Sequence, residues 1–430
     1  MKLSLLLIII VCLLIAFSCK LVYAAATQPG YPPGLYDEGN VPKFTLPDPL
    51  VMLNGDKVND VDTWKQKRRP EILKLFATNV YGRTMIGRPD GMTWKVTAEN
   101  RSDMNGIAIT KTVTIYFTDK DEGPKMDVNF ILPASAAQNP VPLIAIVEWA
   151  PQKQWLLDRG YGLATFNAAQ IEPDIRTGSY EKSVRKFFAK PDPPLGEVSP
   201  SADQNQPGPD LSSVAQAKGD EWGAIGAWAW GLSRAMDYIV TDPDIDANKV
   251  CVAGFSRFGK VAMWAGAQDE RFAIVFSGES GCGGAVIVRR GFGETVKSIN
   301  NSFPHWFCRN FRKYGDHIND LPVDWHMLVA LMAPRPVYIA TAEQDRWGDP
   351  RGSFLSAKYA EPVYQLFGKK GLGVPALSGV EGEDMPPVET PVGITIGYHN
   401  RKGTHNLTDY DWQQFLNFAD RHLGLIKIKE

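Results

Sequence analysis

The sequence predicts an α/β fold in three layers, a mostly parallel central sheet with helices on both faces and antiparallel strands at its leading edge. Three observations predict it. The stretch TWKVTAENRSDMNGIAITKTVTIYFTDKDEGPKMDVNFILP, residues 93–133, alternates apolar and polar residues in two or three runs broken at Asn-Gly and Gly-Pro, the pattern of antiparallel strands. Downstream, VPLIAIVEWA, YGLATFNAA, KVCVAGFS, FAIVFSGES, RPVYIATAEQD and VGITIGYHN are short apolar runs suited to buried parallel strands. Helical or loop material separates them, and in residues 220–240 Trp222, Ile225, Trp228, Leu232, Met236 and Ile239 recur at helical spacing.

The elements follow in order. Lys2, the apolar run Leu5–Phe17 and the small residues around Val22-Tyr23-Ala24 read as a cleaved export signal, residues 1–24. That run is shorter than the ~20 residues a spanning helix needs, so the mature chain is expected to lack a membrane span. Cys19 offers a lipoprotein alternative, but Phe17-Ser18 makes a poor lipobox, and release into the periplasm or medium is expected. Residues 27–50, rich in Pro and Gly, are expected to wrap the surface in extended form. Residues 25–430 are expected to be one catalytic domain. Its two long polar, Pro-rich segments, 172–209 and 371–391, read as inserted loops, either spacers or walls of a substrate cleft.

Composition narrows the partners. In 430 residues, 46 Lys and Arg face 48 Asp and Glu, so no net field favours nucleic acid or an anionic membrane. Twelve Trp, 14 Tyr and 20 Phe supply a large core and, where exposed, surfaces for stacking on sugar rings. Of five cysteines, Cys12 and Cys19 fall in the leader. Cys251, Cys282 and Cys308 remain, which allows at most one disulfide. The six histidines are scattered and no Cys/His spacing resembles a zinc site, so neither a metal nor another cofactor is expected, and a monomer is.

Chemistry concentrates on VCVAGFSRFGKVAMW, residues 250–264. A buried strand runs through Gly254 into a tight turn at Ser256, and GKVAMWAGA then opens a helix. In such an elbow the serine hydroxyl projects from the turn and the N–H of the next residue, Arg257, faces a developing oxyanion. Phe258 stands where Gly-x-Ser-x-Gly wants its second glycine, which predicts that the small residue has moved to Gly259. A serine hydroxyl needs a base oriented by an acid, and in an α/β-hydrolase both follow it on loops at the carboxyl ends of later strands. RPVYIATAEQDRWGDP ends a strand with Glu343, Asp345 and Asp349, of which Asp345 is best placed; FAIVFSGESGCGG offers Glu279 as a second acid. His405 lies between the last strand and the last helix, where the base belongs. His399 on the last strand suits packing, and His422 suits a solvated helix end behind the Thr408–Asp411 capping box. His305, His317 and His326 precede the strand that leads to Asp345 and break the chain order.

GFSRFGK, SGESGCGG, FGETV, LPVDWHMLVALMAPRPVYIATAEQDRWGDP and GTHNLTDYDW, in this order, together resemble the bacterial branch of the glucuronoyl esterases, carbohydrate esterases of α/β-hydrolase fold. The resemblance implies hydrolysis, without a metal, of esters between (4-O-methyl)glucuronic acid on xylan and lignin alcohols. Glucuronoxylan or a lignin–carbohydrate ester would be the partner. It casts Ser256 as nucleophile, His405 as base, Glu279 or Asp345 as acid and Arg257 as oxyanion helper. Lys260 and Glu294 match sugar contacts and Trp347 an aromatic of the uronate pocket; their blander roles are a solvated helix lysine, a surface carboxylate and a core tryptophan. Fungal members carry a disulfide beside the catalytic histidine, where Phe255 and Asn406 stand here. The competing expectations are an acetyl xylan esterase or other hydrolase of the same fold, and an exported carbohydrate-binding protein without catalysis.

Overall fold

Alternation along the apolar runs explains how one sheet carries two cores. The computed structural model describes residues 34–84, 86–119, 122–148, 153–189, 219–373 and 385–425. The leader with Cys19, and parts of both inserted segments (190–209 and 374–384), lie outside these. Ten strands form one sheet: β1 (Thr93–Ser102), β2 (Ala108–Tyr116), β3 (Lys125–Pro133), β4 (Val141–Val147), β5 (Gly162–Phe166), β6 (Ile245–Phe255), β7 (Ile274–Gly278), β8 (Val337–Ala342), β9 (Val392–Gly393) and β10 (Ile396–Arg401). Their order is β1-β2-β3-β5-β4-β6-β7-β8-β10-β9. On β4, Leu143, Ala145 and Val147 enter one core and Ile144 and Ile146 the other; on β6, Val250 and Val252 oppose Cys251 and Ala253. Successive side chains of a strand point to opposite faces, so an unbroken apolar run is what a strand covered on both sides requires.

The antiparallel strands expected at residues 93–133 are β1, β2 and β3, and β5 to β8 with β4 and β10 supply the parallel body. β9 adds a short antiparallel strand at the far edge. Helices α1 (Lys153–Asp158) and α6 (Asp409–Leu423) cover one face, α6 through Trp412, Phe415, Leu416 and Phe418. Helices α2 (Ala224–Ile239), α3 (Arg257–Gln268), α4 (Trp325–Ala330) and α5 (Pro350–Tyr359) cover the other. α2 begins after Trp222, which belongs to the incoming segment, and every residue of it except Ser233 is buried. The leading segment from Gly34 is largely irregular, with one 3₁₀ turn at Glu38–Asn40, and Leu35 bridges Phe292.

Between β4 and β6 the chain reverses its direction of travel across the sheet, since β5 lies on one side of β4 and β6 on the other. Loops diverge at such a switch point and leave a crevice beyond the carboxyl ends of the strands. A buried ion network fixes the approach to β6. Lys111 Nζ on β2 donates to Asp242 Oδ2 at 2.7 Å and Asp244 Oδ2 at 2.9 Å, and Tyr238 Oη donates to Asp242 at 2.6 Å. Lys111 and Asp242 are almost wholly buried, so neither charge has water to fall back on.

Lys111→Met is expected to lower the unfolding free energy by about 3–5 kcal/mol, since it strands buried carboxylates. Lys249→Met removes a partly exposed pair with Asp246 and should cost less than about 1 kcal/mol. Urea unfolding of the two variants checks the contrast.

Candidate active site

Four neighbouring parallel strands, β6, β7, β8 and β10, each deliver one side chain at their carboxyl ends: Ser256, Glu279, Asp345 and His405. Ser256 caps α3 at φ 54°, ψ −124°, a conformation unusual for a residue with a Cβ. Gly254 makes the turn possible, because a Cβ there would lie 1.9 Å from the Phe258 carbonyl oxygen. A Cβ on Gly259 would press on Ser280 Cβ at 2.9 Å and Gly278 O at 3.1 Å. The close approach therefore falls at Gly259, as the sequence suggests, while Phe258 turns to the α2–α3 core and packs edge-on against Trp228. Ser256 N–H donates to Gly278 O at 2.9 Å, which holds the turn against β7.

His405 lies in the irregular segment between β10 and α6, with Nε2 3.0 Å from Ser256 Oγ. Both candidate acids face its other nitrogen: Asp345 Oδ2 is 2.8 Å from Nδ1 and Glu279 Oε2 is 3.3 Å away. Glu279 sits in strained backbone at φ 45°, anchored by its N–H to Ala340 O at 2.8 Å. Its carboxylate takes a charge-assisted bond from Arg401 and the N–H of Asn406 at 3.1 Å. Asp345 accepts from Gly348 N at 3.2 Å. Burial pushes the Glu279 carboxyl up to about 7, against the pull of His405 and Arg401. Burial works to lower His405, but its bonds to Asp345 and Glu279 outweigh that and raise it to about 9.

Arg257 opens α3, so its N–H is one of the first-turn donors with no partner inside the helix. Its guanidinium, 4.7 Å from the Phe258 ring centroid, pairs through Nε with Asp174 Oδ2 at 2.9 Å. Lys260 is not a solvated helix lysine: it is buried, donates from Nζ to Ser280 O at 2.5 Å and lies 3.6 Å from Glu294 Oε2. Glu294 is buried too, which pushes its carboxyl up while Lys260 and a bond from the Trp347 side chain pull it down. Trp347 is half-buried, and its carbonyl accepts the Glu294 N–H at 2.8 Å. Lys260, Glu294 and Trp347 thus form one polar group next to the Ser256 turn.

His399, His326 and His422 separate from this site. His399 is fully buried, bonded to Asp411 Oδ1 at 2.9 Å and Tyr338 Oη at 2.9 Å. His326 bonds Pro47 O at 2.8 Å, and burial lowers it to about 4. His422 corrects the expectation of a solvated helix end: it is half-buried, packs on Phe418 and bonds Ile394 O at 2.8 Å, and burial lowers it. Cys251, Cys282 and Cys308 are all free and buried. Among the described residues the three donors able to hold a cation together are Glu279, Asp345 and His405, and their hydrogen bonds to one another and to Arg401 already engage those atoms. Sequence reasoning missed Asp174, Arg401 and the loop residues His305 and Trp306. A charged residue closing a buried strand, as Arg401 does in IGYHNR, was the one signal available.

Neutralising Glu279 as Gln removes one negative neighbour of the protonated imidazole. A lost anion destabilises the imidazolium, so the acid limb of kcat/KM is expected to move to lower pH by about 1 unit. A pH–rate profile of wild type and Glu279→Gln on one ester checks the direction.

Residues 216–368 match the family model for glucuronyl esterase of fungi. The chain is 40% identical over 411 residues to carbohydrate esterase MZ0003 from an unknown prokaryotic organism, covering 90% of this chain and 92% of that protein. It is 28% identical over 336 residues to the 4-O-methyl-glucuronoyl methylesterase of Hypocrea jecorina, 75% of this chain and 62% of the other. Among solved structures, a glucuronoyl esterase from Solibacter usitatus superimposes with a TM-score of 0.77 at 40% identity, covering 89% of this chain and 99% of that one. A CE15 esterase from a marine bacterial metagenome gives 0.75 at 38%, covering 90% and 100%.

Proposed function

The chain belongs to the glucuronoyl esterase family of carboxylic ester hydrolases, and we propose that it cleaves esters joining the carboxyl group of (4-O-methyl)glucuronic acid on glucuronoxylan to alcohols such as those of lignin. One observation carries this reading: the continuous hydrogen-bonded line from Ser256 through His405 to Asp345 lies beside the polar group of Lys260, Glu294 and Trp347.

In the proposed reaction His405 Nε2 takes the Ser256 proton as Oγ bonds to the uronate carbonyl carbon. The oxyanion forms by the Arg257 N–H at the start of α3, where the helix dipole is also favourable. Collapse breaks the bond to the alcohol oxygen, which leaves with the proton from His405. Water then gives a proton to His405 and attacks the acyl carbon, and the proton returns to Ser256 Oγ as the acid is released. Asp345, with the shorter contact to Nδ1, serves as the acid that orients the imidazole, and Glu279 adds charge and fixes the loop. The Lys260 ammonium has three protons; with Ser280 O and Glu294 taking two, the third is offered to a sugar hydroxyl. Recognition then sits on the acyl side, and the alcohol is free to vary. Export rests on the N-terminal leader; among the described residues no helix is long and apolar enough to cross a membrane.

Benzyl glucuronate is expected to be hydrolysed with a kcat/KM at least about 100-fold above p-nitrophenyl acetate, whose sugar-free acyl group leaves the Lys260 pocket unused. The opposite ranking would point to an acetyl esterase. Ser256→Ala should reduce kcat by about 10⁵-fold or more while sugar binding persists. Asp345→Asn should lose up to about 10⁴-fold and Glu279→Gln clearly less, and equal losses would overturn the assignment of the acid.

A further inference from the structure

Asp174 stands across the nucleophile turn from the triad, in the irregular segment after β5. Its two oxygens are divided among three partners. Oδ2 is 2.9 Å from Arg257 Nε, while Oδ1 accepts from Trp306 Nε1 at 2.8 Å and lies 2.8 Å from His305 Nε2. Those partners are themselves held. Trp306 is buried and stacks face to face on Phe303, ring centroids 3.8 Å apart, and its ring lies 5.9 Å from Lys260 Nζ. His305 exposes only 8% of its side chain. The segment around Asp174 is pinned on either side by the Glu172–Arg185 ion pair and by the Arg176 bond to Asn301 O at 2.9 Å. Burial would push the Asp174 carboxyl up, but bonds from His305 and Trp306 and the charge of Arg257 outweigh it and hold it below the usual range. Asp174 is thus a fixed anion on a rigid wall.

Arg257 is otherwise a half-exposed side chain with many rotamers, and its own helix turn offers the guanidinium the face of the Phe258 ring but no anion. A cation that wanders is screened by water and stabilises a developing oxyanion poorly, whereas one held in place acts without reorganising as the charge appears. The ion pair with Asp174 is at Nε, and among the described residues no hydrogen bond engages either Nη group, so both can face a substrate oxygen. A carboxylate this close also damps the positive charge it holds, so the benefit lies in placement and not in field strength.

Resting on the esterase reading of Ser256 and Arg257, we propose that Asp174 is a positioning residue of the reaction: it holds the Arg257 guanidinium beside the nucleophile and ties it, through His305 and Trp306, to the wall that faces the Lys260 ammonium. The clamp joins the oxyanion side of the site to the sugar side, and one carboxylate belongs to both. His305, excluded as the general base by its place in the chain, acquires a role as a support for Asp174.

The test is a double-mutant cycle on the full-length protein with benzyl glucuronate, reading kcat and KM for wild type, Arg257→Ala, Asp174→Ala and the double variant. Arg257→Ala is expected to lower kcat about 100-fold and Asp174→Ala about 10-fold, with KM within about 2-fold. In the Arg257→Ala background, adding Asp174→Ala should cost less than about 2-fold, because the group it positions is gone. Asp174→Asn, which keeps an acceptor for Trp306 but loses the charge facing Arg257, provides the same cycle should the alanine variant melt below assay temperature. Equal losses in both backgrounds, or no loss in either, overturn the inference. An inactive wild type would instead refute the esterase reading beneath it, so the two failures are distinguishable.

Discussion

The site is assembled around one buried cation, Arg401, at the end of β10. Its Nε donates to Asp411 Oδ2 at 2.8 Å, and its two Nη groups bond Glu279 and the carbonyls of Lys402, Thr404 and Asn406. The loop that carries His405 has no ladder of its own, so its carbonyls would be left unsatisfied next to the core without this fork. Two buried carboxylates, Glu279 and Asp411, would likewise face each other without a counter-charge. Asp411 extends the network by capping α6 through Thr408 and by bonding His399. One guanidinium therefore joins β7, β10, the catalytic loop and the last helix, and the place of the His405 ring follows from it.

The parallel sheet provides the second constraint. Each of four adjacent strands can deliver one residue to the same edge, but the strands lie about 4.8 Å apart, and side chains of ordinary reach converge only if the turns lean inward. That lean is bought with left-handed backbone at Ser256 and Glu279. Hydrogen bonds from each strained residue to the next strand, Ser256 N–H to Gly278 O and Glu279 N–H to Ala340 O, offset it. Strain of this kind collects at functional sites, and in the proposed reaction both residues belong to one.

Much of this was legible in the sequence because it is written in local patterns. Period-2 alternation over residues 93–133 gave the antiparallel edge, and continuous apolar runs gave the doubly covered strands. Chain order removed three of the six histidines, and its place in the loop between the last strand and the last helix singled out His405 from His399 and His422. Lateral detail was not legible. Glu279 and Asp345 end adjacent strands, and half an ångström at Nδ1 distinguishes them, a difference set by turn geometry that no spacing rule carries. Asp174 was hidden because its partners, Arg257, His305 and Trp306, come from remote parts of the chain. Trp222 fitted the helical period yet lies outside α2, since burial against Trp230 yields the same apolar signal as a helix face.

In the proposed reaction the charges around the imidazole and around the oxyanion act as two halves of one device. Two carboxylates raise His405 above the ordinary imidazole range, so they favour its protonated form in the resting molecule. The same carboxylates stabilise the imidazolium that exists once Ser256 has given up its proton, which is the state on the reaction path. An arrangement that favours the charged form in both states lowers the barrier only if the oxyanion formed at the same moment is also met by fixed charge, because proton transfer creates the two ions together. The N–H of Arg257 at the head of α3, with its guanidinium nearby, lies on the side where that second charge appears. Glu279, whose carboxyl burial pushes up, adds its share to the first half only when it is ionised. A single carboxylate would leave the base more available and the imidazolium less stable; the second moves that balance toward the transition state.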